Sequence, residues 1–281
     1  MQVPIHARPS DEIGQLALLT LATGIEDPNY PVENLTSLFP DDAFLTSSEG
    51  TAVDIVWDHA TATDIKLFSL HHHNLPAATD VRLQRNATNT WGAPTMDVAV
   101  PIATYPQVGL PFPIGLDLTA AAGYNAGGFR YTRLHIPSLA QLVGLGSALL
   151  WGAKRTAWDP VLPPAVYGEQ QAATTFKTSL GRLRGYVKGV RLRAYPFKTR
   201  QEDVGWAEFI ALFRECSSVL PFLWWRDPTH SADAWLAAFD ADSIREERPV
   251  EGGDYNVSEV TGQFNEMGNG VALPTTTEVA T

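Results

Sequence analysis

The chain has 281 residues, of which 44% are hydrophobic and 18% charged, and a formal net charge of −11. That balance is too apolar for a disordered chain, and the length suits either one large all-β domain or two smaller ones. The single cysteine, Cys216, excludes an intramolecular disulfide and a cysteine-built zinc finger, and no apolar run is long enough to span a bilayer.

The opening run Leu16 to Ala22 is too short for the apolar core of a secretory signal with a cleavage site. Beyond it, short alternating runs separated by Pro, Gly, Asn and Asp predict strands rather than helices. Asp54 to Trp57, Asp64 to His73 and Asp80 to Gln84 read as strands. The stretch from Trp91 to Gly128 is rich in Pro, Gly and Ala and reads as a long insertion, a projecting loop over about 91–128. Phe129 to Ile136 alternates cleanly, with Phe129, Tyr131 and Arg133 on one face and Arg130, Thr132, Leu134 and Ile136 on the other. Gln141 to Gly152 reads as a buried strand with a bend. A domain boundary is placed near residue 157, after which Trp158 to Pro164 forms an extended arm.

Charge divides the chain into three. Residues 1–153 hold 6 Lys/Arg against 14 Asp/Glu, residues 154–200 hold 10 against 2, and residues 201–281 hold 4 against 15. The basic band sits between acidic flanks, a pattern suited to electrostatic pairing between subunits. Its candidate interface residues are Arg182, Arg184, Lys188, Arg191 and Arg193, joined by Trp224 or Trp225 if one indole faces outward. The acidic remainder would repel phosphates, so nucleic acid is not expected as a partner.

Thr199-Arg-Gln-Glu202 fits a capping box and predicts one helix over about 200–216, with Trp206, Phe209, Ile210 and Phe213 along its apolar face. The aromatic strand Leu220 to Pro228 follows, then an acidic hairpin ending at Glu266. The tail, 268–281, is expected to be flexible.

Candidate chemistry is sparse. His71 and His73 would share a strand face and could bind a metal if His59, His135 or Asp58 supplied a third ligand; the alternative is a strand end whose imidazoles hydrogen-bond to Asn74 and to loop backbone. No nucleophile elbow, phosphate loop or dinucleotide fingerprint occurs, so neither an enzyme nor a cofactor is expected.

Several short motifs carry a resemblance. They are Asn29-Tyr-Pro-Val-Glu-Asn-Leu35, Val53 to Trp57, Phe68-Ser-Leu-His-His-His-Asn-Leu75 and Arg130-Tyr-Thr-Arg-Leu-His-Ile136. In this order they resemble the galactose-binding-like (discoidin-type) jelly-roll β-sandwich of tailed-phage structural proteins. The C-terminal order of strand, helix, strand and hairpin is similar to distal-tail and tail-hub proteins.

The resemblance implies a mainly β chain in three parts. A galactose-binding-like sandwich would span 1–157, a smaller α+β tail-hub-like domain 158–267, and a tail 268–281. It further implies a ring-forming virion subunit at or near the tail tip, assembled in the host cytoplasm. Its partners would be copies of itself and other tail proteins, such as tube, hub or fibre. The alternative is a carbohydrate-binding module that attaches to cell-surface glycan.

Overall fold

The computed structural model describes residues 4–39, 43–102, 113–156, 168–170, 173–177, 183–187, 192–200, 205–216, 220–240, 243–247 and 259–266. The chain begins with β1 (Ile5–Ala7), and nine strands of a sandwich follow. These are β2 (Leu18–Thr23), β3 (Phe44–Leu45), β4 (Val53–Thr63), β5 (Leu67–His73), β6 (Asp80–Asn86), β7 (Met96–Pro101), β8 (Ile114–Asp117), β9 (Phe129–Ile136) and β10 (Gly144–Trp151). The short strand β11 (Arg155–Thr156) leads to β12 (Gly168–Gln170), an antiparallel pair β13 (Ala173–Lys177) and β14 (Leu183–Val187), and β15 (Leu192–Arg200). Helix α1 (Trp206–Cys216) precedes β16 (Phe222–Trp225), β17 (Ala234–Phe239), β18 (Arg245–Glu247) and β19 (Glu259–Glu266).

The sandwich pairs a five-stranded sheet, β2-β4-β9-β6-β7, with a four-stranded sheet, β3-β10-β5-β8. Leu19, Ile55, Trp57, Leu83 and Leu134 of the first meet Phe44, Phe68, Leu70, Ile114 and Leu150 of the second in one core. The stretch read as a projecting insertion contributes β7 and β8, which pair with β6 and β5. Those two strands are therefore part of the sandwich. Pro94 just before β7 and Pro101 at its end hide that short strand in the sequence.

The chain's second half builds an eight-stranded sheet in the order β11-β1-β16-β17-β19-β15-β12, with β18 also on β19. The acidic segment read as a closing hairpin instead places β19 inside this sheet, between β15 on one edge and β17 and β18 on the other. Strand β1 belongs here too, since Ile5 pairs with Trp225, His6 with Trp224 and Ala7 with Leu223. Residues Ile5–Ala7 thus belong to the second body, not to the sandwich.

One face of this sheet packs on the four-stranded sheet: Ile5, Leu223, Trp225, Ala234 and Leu236 meet Leu67, Leu149 and Trp151. Gly115 marks the closest approach, because a Cβ there would lie 2.4 Å from that of Ala234. The opposite face packs on α1 through Phe222, Trp224, Phe239 and Phe264 against Phe209 and Leu212. Five-stranded sheet, four-stranded sheet, eight-stranded sheet and helix therefore stack in sequence. The four-stranded sheet is covered on both faces, which accounts for every residue of β10 being buried.

Helix α1 starts six residues later than the capping box predicts. Thr199 lies within β15, paired with Val260 and fully buried, so it cannot cap a helix. Gly205, with φ +96°, precedes the first turn instead. Phe209, Leu212 and Cys216 are buried, while Trp206, Ile210 and Phe213 are half-buried against the same cluster. Burial pushes the Cys216 thiol up to about 12, which makes it an inert packing residue.

Two clusters of charged and hydrogen-bonded groups fasten the chain around β1 to helix α1 and to β11. Glu208 of α1 accepts from His6 Nε2 at 3.1 Å and Arg8 Nε at 2.9 Å, and Arg155 holds Asp11 at 2.7 and 2.8 Å. Burial lowers the His6 imidazole, whose neutral form still donates from Nε2. The His6 hydrogen bond and then the Arg8 guanidinium pull Glu208 down to about 2.

Glu12, in the connection between the bodies, is buried with no ion-pair partner among the described residues. It accepts from the backbone N–H of Gly14 at 2.7 Å and Gln15 at 3.1 Å. Burial raises it to about 7, above the unfolded value of 4.5. The folded state therefore holds this proton more tightly, and stability should fall as pH rises from about 4.5 through 7. The loss should be at most roughly 3 kcal/mol. Denaturant titrations from pH 4.5 to 8 should show that slope in the native protein and a flatter profile in Glu12→Gln.

Candidate functional site

With the four-stranded sheet covered on both sides, the outer face of the five-stranded sheet is the face of the sandwich on which no other sheet packs among the described residues. Alternation along each strand decides what it carries. Val53, Ile55 and Trp57 point into the core, so Asp54, Val56 and Asp58 point out; on β9 Thr132, Leu134 and Ile136 point in, so Arg133 and His135 point out. Register then places Asp54 beside His135 and His135 beside Arg82. One pleat further, Val56, Arg133, Gln84 and Asp97 line up across four strands.

These side chains form a ladder. His135 Nδ1 lies 2.7 Å from Asp54 Oδ1, and Arg133 Nη1 lies 3.3 Å from the same oxygen. Arg133 donates from Nε to Gln84 Oε1 at 2.9 Å and from Nη2 to the same atom. Arg82 Nε reaches Asp97 at 2.9 Å. Burial alone would raise the Asp97 carboxyl, but hydrogen bonds from Arg82 and Gln84 hold it below the usual range. Burial lowers Arg133, against the pull of Asp54 and Asp97.

Trp91, in the β6–β7 loop, lies over this ladder with the Arg133 guanidinium carbon 4.8 Å from its ring centre. Its indole N–H donates to Asn89 at 2.8 Å, which fixes the ring within the loop. Nearby, Arg130 grips Asp58 through two hydrogen bonds of 2.8 and 2.9 Å and stacks 4.9 Å from the Tyr131 ring centre. The Arg130 hydrogen bond holds Asp58 at about 2.

At one end of the sandwich Arg85 is fully buried. It donates to the Thr63 carbonyl at 2.6 Å and sits 5.2 Å from the Phe129 ring centre. Burial, and then Arg85, push the neighbouring His59 down to about 4, where its ring contacts Thr132 Oγ1 at 3.2 Å.

The residues singled out in the sequence fall elsewhere. His71 and His73 do share a face of β5 and are buried. The residues considered as a third ligand, His59, His135 and Asp58, lie in the other sheet and are engaged with Thr132, Asp54 and Arg130. Among the described residues no group of three His, Cys, Asp or Glu could hold a metal ion. Trp224 and Trp225 do take opposite faces of one strand, but both are buried, one under the helix and one against the sandwich. Neither offers an interface, because β16 is itself sandwiched between two layers. Arg184 lies on β14 opposite Phe176, and Arg193 on β15 opposite Glu169. Arg182, Lys188 and Arg191 lie outside the described residues.

Sequence reading missed Trp91 and the ladder beneath it. Trp91 was hidden in an apparent insertion, although the polar alternation of β6 and β9 pointed to the face it covers.

No protein-family model matches the chain, and no curated protein matches it. Half of the chain is similar in fold to solved β-sandwich modules. A fucose-binding module of Streptococcus pneumoniae is 10% identical, with a TM-score of 0.37 over 50% of this chain and 95% of that one. The family 32 module of Clostridium perfringens NanJ, solved with galactose, is 8% identical, with a TM-score of 0.36 over 50% and 98%. A chitosan-binding module from a Paenibacillus sp. IK-5 chitosanase/glucanase is 15% identical, with a TM-score of 0.36 over 52% and 99%.

Proposed function

We propose that this protein works by binding rather than by catalysis, and that the outer face of its five-stranded sheet holds glycan. The observation that carries this reading is Trp91 fixed over the Arg133–Gln84–Asp54–His135 ladder. An aromatic ring can cover the apolar face of a sugar, and carboxylate, amide, guanidinium and imidazole groups match its hydroxyls as donors and acceptors. The ladder holds these groups in place before a ligand arrives, which lowers the ordering cost of binding. Fucose, galactose and chitosan, named for the modules similar in fold, are suitable first probes.

Retention of one such glycan by the native chain should fall at least tenfold in Trp91→Ala with an unchanged thermal midpoint. Equal retention by the two proteins would overturn the reading.

A second reading is a ring-forming subunit at the tail tip of a tailed phage. The burial of the four-stranded sheet on both faces favours it, because the sandwich is carried rigidly on a second body instead of on a free linker. Negative-stain images of purified protein, or of tails labelled with an antibody to it, would test this reading. A dispersed monomer absent from tails would refute it.

A further inference from the structure

Trp91 has a counterpart on the same face. One pleat along β9 from Arg133, Tyr131 also points outward, in register between Asp58 of β4 and Asn86 of β6. The Arg130 guanidinium carbon lies 4.9 Å from the Tyr131 ring centre, and Asp58 holds that guanidinium at 2.8 and 2.9 Å. The same three parts recur at Trp91: a ring, the Arg133 guanidinium 4.8 Å from its centre, and Asp54 on that guanidinium at 3.3 Å. The Arg130 side chain is 45% exposed and Tyr131 is half-buried, so the second set meets solvent.

Asn86 fixes one set relative to the other. It is buried, and its amide N–H donates to the Thr90 carbonyl at 2.8 Å. Its Oδ1 accepts from the Ala87 N–H at 2.9 Å and from the Thr95 hydroxyl at 3.0 Å. Both feet of the Trp91 loop are thus fastened to the row of residues that carries Tyr131. Outward residues two apart on a strand are separated by about 7 Å. The two sets therefore follow one another along β9 at the scale of a single sugar residue.

We propose that this face takes a glycan chain of two or more residues, one sugar on Trp91 and the next on the Tyr131–Arg130–Asp58 set, rather than a single terminal sugar. The inference rests on the glycan reading above and names the ligand class of that site. Two sets held in a fixed relation let a chain engage the second as soon as it holds the first, so affinity should grow with length. Charge narrows the class further. Arg82, Arg130 and Arg133 already face Asp97, Asp58 and Asp54, so the face suits an uncharged chain.

Two uncharged series serve as probes: galactose with its β-1,4-linked oligomers, and N-acetylglucosamine with its β-1,4-linked oligomers, each of one to four residues. Calorimetry with the full chain should show at least a tenfold gain in affinity from monomer to trimer in one of them. Tyr131→Ala should bring the ratio of trimer to monomer affinity to about one. Arg130→Gln, at an exposed position that the fold tolerates, should do the same with an unchanged circular dichroism spectrum. Trp91→Ala should weaken every length that binds. A gain that survives both Tyr131→Ala and Arg130→Gln would overturn the second set. Affinity that is flat with length yet lost in Trp91→Ala would overturn the chain inference and leave the glycan reading standing. No binding in either series would overturn both.

Discussion

Removing the Trp224 indole should destabilise the protein by about 3–5 kcal/mol, among the larger losses for a single truncation. Trp224 is fully buried, and its ring centre lies 4.7 Å from that of Phe264, edge to face. Phe264 in turn packs on Phe222, Phe239 and Phe197. The vacated volume would be lined by rigid rings on β16, β17 and β19, which cannot collapse into it. Urea titration of Trp224→Ala against the native protein measures the cost. A loss under 1 kcal/mol would show that this cluster is not the core of the second body.

The second large effect should come from Glu208→Ala, at roughly 3 kcal/mol. The substitution removes the acceptor for His6 and Arg8 and leaves those groups, with Arg155 nearby, facing one another where α1 meets β1 and β11. The Arg8 guanidinium, its carboxylate gone, would have to recruit water beside the packed helix. Because the folded pKa of Glu208 is depressed, its contribution is present above about 4.5 and is lost as pH falls toward 2. Native protein should therefore lose stability on acidification through that window, and Glu208→Ala should lose less. Glu12 acts in the opposite sense over a different window, so the two variants separate the acid and neutral limbs of one stability profile. Identical acid limbs in the native protein and Glu208→Ala would show that Glu208 does not stabilise that contact.

The mainly β class and the strands that face water on one side were legible in the sequence. β9 shows why: its inward Thr132, Leu134 and Ile136 alternate with polar residues, and a half-wet sheet imposes that period of two. β10 was legible as a buried run, but not the reason for it, because coverage of both faces depends on a sheet built from distant residues.

The helix start was misread because a capping box is only four residues, and strand pairing of Thr199 with Val260 outweighed it. Strand β1 gave no signal, since three residues set no period and their partners lie far along the chain. Of the candidate site, the polar positions were readable on β6 and β9. Trp91 was not, because a loop side chain finds its place only once the strands beneath it are in register.

The threading of β1 has a consequence for synthesis. His6 contacts a residue 202 positions further on, and its strand partner Trp224 is later still. At roughly 5–20 residues per second, Ile5–Ala7 would wait tens of seconds on a ribosome before that partner emerges. The sandwich can close in that interval from contiguous chain, but the eight-stranded sheet cannot. During translation β1 is thus made long before it can be locked, and its edge is offered to chaperones until residues 222–225 arrive.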